Sequence, residues 1–200
     1  MNKNLVNIKV SDIFKGFPDF EQQQPKSVVV HKEEKGPRKL SLKETNIFHK
    51  KKNKIMPTIY STLDSDETVY GARALNVRLP AHLDRHTKDA DIFTGTPHKE
   101  AMEAEQALDK MMGFNAFYHT PAEHPGTWKV KAHATDETYA DYTPTPKGLR
   151  REKIGDIYFP TIPTIKTSLK KTLSDPSASH RHPKDQDALN RINIWQRRMF

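Results

Sequence analysis

The 200-residue sequence predicts a mostly irregular, extended chain with a few short α-helices, no large globular core and little or no β-sheet. Three observations carry this expectation. Leu, Ile, Val and Phe together fill 41 positions, just above the level at which disorder becomes the default. Fourteen prolines interrupt the chain, and its mean hydropathy is −0.83. Such a composition buries too little apolar surface to offset conformational entropy along the whole length.

Charge divides the chain into three expected parts. Residues 1–60 carry a net +7, residues 61–146 a net −6 and residues 147–200 a net +7, which together give the overall +8. They read as a basic extended arm with short anchors, an acidic and partly helical middle with a small local core, and a basic proline-rich segment ending in an amphipathic helix.

In the arm, Phe14, Phe17 and Phe20 cluster around Gly16 and Pro18, a pattern that favours a turn bearing aromatic anchors. Val28, Val29 and Val30 offer one short strand for another protein's sheet edge. Ser41 followed three residues later by Glu44 fits a capping box, and predicts a helix over 42–51. Lys50, Lys51 and Lys52 form a cationic cluster suited to its C-terminus.

The middle predicts helices over 64–76 and from Pro80 toward Ala90. The clearest helix spans 97–112, with Thr96 as N-cap, Pro97 in the first turn and Gly113 at the stop. Ala101, Ala104, Leu108 and Met111 give it one apolar stripe, onto which Phe114, Phe117, Tyr118 and Trp128 can fold. Beyond Tyr139, proline spacing predicts extended chain with isolated apolar teeth such as Phe159 and Ile162. The last stretch, 185–200, is again helical: Ala188, Ile192, Trp195 and Met199 share a face, and Arg197 and Arg198 suit its dipole. Asp91-Ile92-Phe93 echoes Asp12-Ile13-Phe14, but the surroundings do not match and no repeat architecture follows.

The residue inventory argues against chemistry. There is no cysteine, hence no disulfide, thiolate metal site or cysteine nucleophile. His82 and His86 lie one helical turn apart with Asp89 nearby, yet Leu83 stands where a zincin needs its glutamate, so a solvated face is the simpler reading. Eight glycines are too scattered for a phosphate-cradling loop. A chain with so little core is poorly equipped to build a catalytic cleft. No catalytic residue, cofactor, metal or small-molecule substrate is therefore expected, and the chain reads as a non-enzyme. No apolar run is long enough to span a bilayer, and the N-terminal residues lack a signal-peptide core.

In style, the anchors at Phe14 to Phe20, the proline runs at 143–146 and 159–163, and the Trp195 helix resemble the microtubule inner proteins of cilia and flagella. That resemblance implies a structural protein on the tubulin lattice of doublet microtubules, in the cytoskeleton and axoneme, with neighbouring lattice proteins as partners. Phe14, Phe17, Phe20, Lys50, Lys51, Lys52, Trp128, Phe159, Trp195, Arg197 and Arg198 are the candidate partner-binding residues. The alternative is an extended subunit of an RNA–protein assembly such as a mitochondrial ribosome, where basic ends thread between phosphates.

Overall fold

The structure, a computed structural model, describes residues 36–198. The anchors Phe14, Phe17 and Phe20 and the Val28–Val30 segment lie outside the described residues.

Ser41 caps the first helix as its sequence requires. Its hydroxyl accepts from the Glu44 N–H, and the Glu44 carboxylate accepts from the Ser41 N–H at 2.8 Å, so both halves of the capping box form. That helix, α1 (Leu42–Lys51), buries Phe48 and leads through a single 3-10 turn into α2 (Ile55–Ser61), which buries Ile55 and Ile59. The sequence expectation of a helix over 64–76 is half right. Thr68–Tyr70 is strand β1, and only Gly71–Asn76 is helical, as α3. From Pro80 toward Ala90 there is no α-helix but a short 3-10 turn (Ala81–Leu83) and extended chain.

Strand β2 (Ala90–Thr94) then enters, followed by α4 (Pro97–Met112), which ends at Gly113 in the left-handed conformation, φ +87°. Strands β3 (Phe117–Pro121), β4 (Trp128–Ala132) and β5 (Thr138–Pro144) complete a five-stranded mixed sheet in the order β1-β2-β5-β4-β3. Only β2 and β5 run parallel; the other pairings are antiparallel. A separate hairpin, β6 (Arg151–Ile154) with β7 (Ile157–Pro160), precedes α5 (Ile162–Leu173) and α6 (His182–Arg197).

The expectation of an extended chain without a core or sheet is thereby overturned. One face of the sheet packs on α1, α2 and α4 through Phe48, Ile59, Val69, Ile92, Leu108, Phe117, Val130 and Tyr142. The physical reason lies in which residues carry the burial. Ala74, Ala90, Ala101, Ala104, Ala116, Ala132 and Ala140 are all wholly buried, and Tyr139 and Tyr142 are nearly so. Alanine lets helix and sheet approach closely, and tyrosine contributes a large apolar area. A count of large aliphatics and phenylalanine misses both. A second cluster joins Leu75 and Leu79 to Ile162, Ala188 and Ile192, seating α6 on the end of α3.

Glu67, just before β1, is 3% exposed. Its Oε2 accepts from the Asp64 N–H at 2.8 Å, while its Oε1 is buried with no hydrogen-bond partner. Burial above all, then the charges of Glu100, Asp66 and Asp64, push its pKa up to about 7. The raised folded value favours the protonated form. The stabilising contribution is therefore present below the unfolded value and is lost as pH rises toward 7. Glu67→Gln cannot titrate. Urea titrations should show it matching wild type near pH 4.5 and exceeding it by about 2 kcal/mol at pH 8. A pH-independent difference would contradict this account of Glu67.

Candidate active site

The sheet registers align four side chains in one row on the face opposite the α4 core. Tyr70 (β1) pairs with Asp91 (β2), Asp91 with Asp141 (β5), and Asp141 with Lys129 (β4). Residues directly across a ladder share a face, so two carboxylates from neighbouring strands are forced side by side. The neighbouring positions Ile92 and Tyr142 point into the core and fix the strands' orientation.

Asp89, two residues before Asp91, joins them from the turn that enters β2. Carboxylate oxygens of Asp89, Asp91 and Asp141 all lie within 4.8 Å of one another. The turn is held by α3. Arg73 Nε donates to the Asp89 carbonyl at 2.6 Å, and the Asn76 amide group and the Arg85 backbone exchange hydrogen bonds of 2.8 and 3.1 Å. Thr87 Oγ1 donates to Asp89 Oδ1 at 2.5 Å and orients that carboxylate.

Gly71 makes the cluster possible. It opens α3 at φ +69°, and a Cβ at this position would stand 2.0 Å from Asp91 Oδ2. Only glycine combines a left-handed backbone with room for the carboxylate.

Negative charge and burial outweigh the nearby cations at this cluster. Burial first, then the neighbouring Asp89 and Asp141, push Asp91 up to about 6, against opposing cations at Lys184 and Arg181. Burial also raises Asp141, with Lys129 opposing it. Asp141 Oδ1 is buried and accepts no hydrogen bond. Both α6-side cations are exposed. Arg181 ends the 3-10 turn Pro176–Arg181, and Lys184 lies in the first turn of α6. Arg191 ties this helix back by donating to the Leu83 carbonyl at 3.1 Å.

Three oxygen donors gathered this closely, one with an unused buried lone pair, fit a hard divalent cation. A magnesium ion about 2.1 Å from each ligand sets oxygens roughly 3 to 4 Å apart, compatible with oxygens that all lie within 4.8 Å of one another. Such an ion would relieve the repulsion that raises Asp91.

No protein-family model matches the chain. No curated protein matches it either. Solved structures do. The crystal structure of the Megavirus polyadenylate synthase superposes with a TM-score of 0.61 at 19% identity, over 75% of this chain and 32% of that one. The chain thus spans about a third of that enzyme's length. This likeness establishes a shared fold. Two Helicobacter pylori structures also match, one of them provisionally described as a nucleotidyltransferase, at 16% and 17% identity. They cover 61% and 63% of the matched chains, with TM-scores of 0.38 and 0.41 too low to carry argument.

These findings correct the non-enzyme reading. The microtubule-lattice and RNA-assembly readings both rested on an extended chain without a core, whereas the described residues fold around one. Tubulin as partner and the exclusion of a small-molecule substrate fall with them. His82 and His86 do not join Asp89. His82 Nε2 accepts from Arg198, and Asp89 turns to Asp91 and Asp141.

None of the sequence-derived candidates among the described residues belongs to the carboxylate cluster. Lys50 is exposed. Lys51 Nζ caps the end of α4 by donating to the Met111 and Met112 carbonyls at 2.7 and 3.1 Å. Lys52 pairs with Glu137 at 3.5 Å. Trp128 packs its ring 4.0 Å from that of His98, and Phe159 is buried under Arg78. Trp195 packs on the second cluster, and Arg197 and Arg198 are exposed. The signal missed was local: Asp-x-Asp and a later Asp on the polar side of strands whose alternate residues are buried.

Proposed function

We propose that the chain is a metal-dependent nucleotidyltransferase that moves a nucleoside monophosphate from a nucleoside triphosphate to a hydroxyl acceptor. The single observation that carries this reading is the Asp89–Asp91–Asp141 cluster with its Gly71 notch and orphaned Asp141 oxygen. A fold shared with a polyadenylate synthase supports it.

In the reaction the acceptor oxygen bonds to the α-phosphorus, the bond from that phosphorus to the bridging oxygen breaks, and pyrophosphate leaves with the electron pair. The acceptor proton passes to solvent. Divalent cations supply charge neutralisation at the α-phosphate and a lowered pKa for the acceptor hydroxyl. Asp89, Asp91 and Asp141 would hold them. The protein's own part is positioning. Gly71 lets Asp91 sit against the start of α3, and Thr87 and Arg73 fix the Asp89 turn. Arg181 and Lys184, whose charges act on Asp91, are two exposed cations that would attract the polyphosphate.

The test is pyrophosphate release from each of the four ribonucleoside triphosphates with magnesium, with and without oligonucleotide acceptors. Wild type should release it, and Asp141→Asn should lower the rate by about 10³-fold or more. Release by the variant at the wild-type rate would overturn the reading.

A further inference from the structure

A pair of aromatic rings on the carboxylate face is not absorbed by either core cluster. Tyr70 stands in the same row as Asp91, and Phe93 lies two residues along β2 on the same face. The two rings are parallel to within 5°, with centroids 3.7 Å apart. Neither belongs to the buried clusters or to the partly buried residues packed against them. Both are half-buried.

The arrangement is held in place. The Tyr70 hydroxyl lies 3.1 Å from Thr143 Oγ1 on β5, the second strand away, and Thr127 Oγ1 supports that threonine at 3.3 Å. Strands lie about 4.8 Å apart, so a side chain that starts on β1 and bonds to β5 must cross β2. The strand pairing puts Phe93 directly across from Thr143, under that crossing. The tyrosine side chain is thus drawn across β2 beside the Phe93 ring by a tether at its tip. Burial raises its pKa, which keeps the phenol protonated as a donor.

Aromatic rings on a sheet face serve elsewhere as stacking surfaces for nucleobases, because every base presents a π-face. The position matches. Two strand residues, about 6.6 Å, separate the Phe93 and Asp91 positions. One ribose spans a comparable distance between a base and its 5′ phosphate or 3′ oxygen. The Arg181 charge acts on both Tyr70 and Asp91.

We propose that the Tyr70–Phe93 pair, tethered by Thr143, is the platform on which a nucleobase stacks when its phosphate or hydroxyl reaches the Asp89–Asp91–Asp141 cluster. The inference rests on the nucleotidyl-transfer reading for its occupant. The base comes either from the triphosphate or from the terminal nucleotide of the acceptor.

Two fluorescent probes separate these sources: 2-aminopurine riboside triphosphate, and an oligonucleotide ending in 2-aminopurine. Each is titrated with protein in calcium, which holds phosphates while suppressing turnover. Stacking on wild type quenches one of them. Tyr70→Leu and Phe93→Leu, with folding checked by thermal denaturation, should weaken that probe's binding by about 5- to 100-fold. Tyr70→Phe, which keeps the ring but loses the tether to Thr143, should bind more weakly than wild type and more tightly than Tyr70→Leu. In steady-state transfer the leucine variants should raise KM for the same substrate and leave kcat within about threefold. Quenching of neither probe, or equal binding by wild type and both leucine variants, overturns the platform. Transfer by wild type with unchanged KM in the variants also overturns it while sustaining the transferase. Quenching without any transfer sustains the platform and removes the transferase.

Discussion

An Asp91→Asn variant transfers no nucleotide, yet in cation-free buffer at pH 8 it unfolds at a higher temperature than wild type. The two effects have one origin. Asp91 is pushed up to about 6 from its ordinary 3.8 by burial and by the carboxylates beside it. Its protonated form is the one the fold prefers, so its stabilising contribution is present below about pH 4 and is gone above 6. At pH 8 the wild-type cluster carries its full repulsion, and asparagine removes one member of it. After allowance for partial solvent exposure, the gain is about 1 to 2 kcal/mol. Magnesium reverses the ranking. Binding to the folded state alone adds about 2.7 kcal/mol at 100 times the dissociation constant, and the variant lacks a ligand for it. Thermal denaturation of both chains with and without magnesium at pH 8 measures this. A variant less stable than wild type without cation would contradict it.

Gly71→Ala should be the most damaging single methyl group in the described chain. It faces two penalties. Its φ of +69° lies in the region that side chains disfavour, at about 1 kcal/mol or more. The new Cβ would also stand 2.0 Å from Asp91 Oδ2 and 2.9 Å from its Cγ, so the carboxylate must leave its place in the row. A displacement of this size at a site that depends on positioning is expected to cost at least 10²-fold in rate. Stability should fall by about 2 kcal/mol. Gly95 provides the control. It is a glycine with ordinary φ and nothing within 4 Å of an added Cβ, so Gly95→Ala should fold as wild type does. Equal transfer rates for Gly71→Ala and Gly95→Ala would contradict the role given to the notch.

Part of this architecture is legible in the sequence and part is not. The α1 capping box and the span of α4 follow from local rules, because Ser41, Glu44, Pro97 and Gly113 act on backbone within a few residues of themselves. The predicted Thr96 cap is the exception. Its hydroxyl donates to the Glu100 carboxylate, and no side-chain bond caps the helix.

The sheet escapes the same reading because its pairings are not local. The parallel partner of Ala90 is Ala140, fifty positions away. Strand β1 is three residues long, too short for an alternating pattern to stand out. Ala90-Asp91-Ile92-Phe93-Thr94 does alternate, with Ala90, Ile92 and Thr94 buried and Asp91 and Phe93 on the other face. Tyr139 to Tyr142 carries a similar contrast around Asp141. A carboxylate on the off-core side of a buried strand reads as an ordinary solvated charge until two such strands are adjacent. The recurrence of Asp91-Ile92-Phe93 is therefore an acidic strand and not a repeat unit.

The measurement that tests the central claim most directly is a manganese titration followed by electron paramagnetic resonance, with a non-hydrolysable nucleoside triphosphate present. Free manganese gives the signal and bound manganese loses it. Wild type should remove manganese from solution stoichiometrically in the presence of the nucleotide, while Asp91→Asn and Asp141→Asn should leave at least tenfold more of it free at equal protein. Identical titration curves for the three chains would contradict a cation site built from Asp89, Asp91 and Asp141.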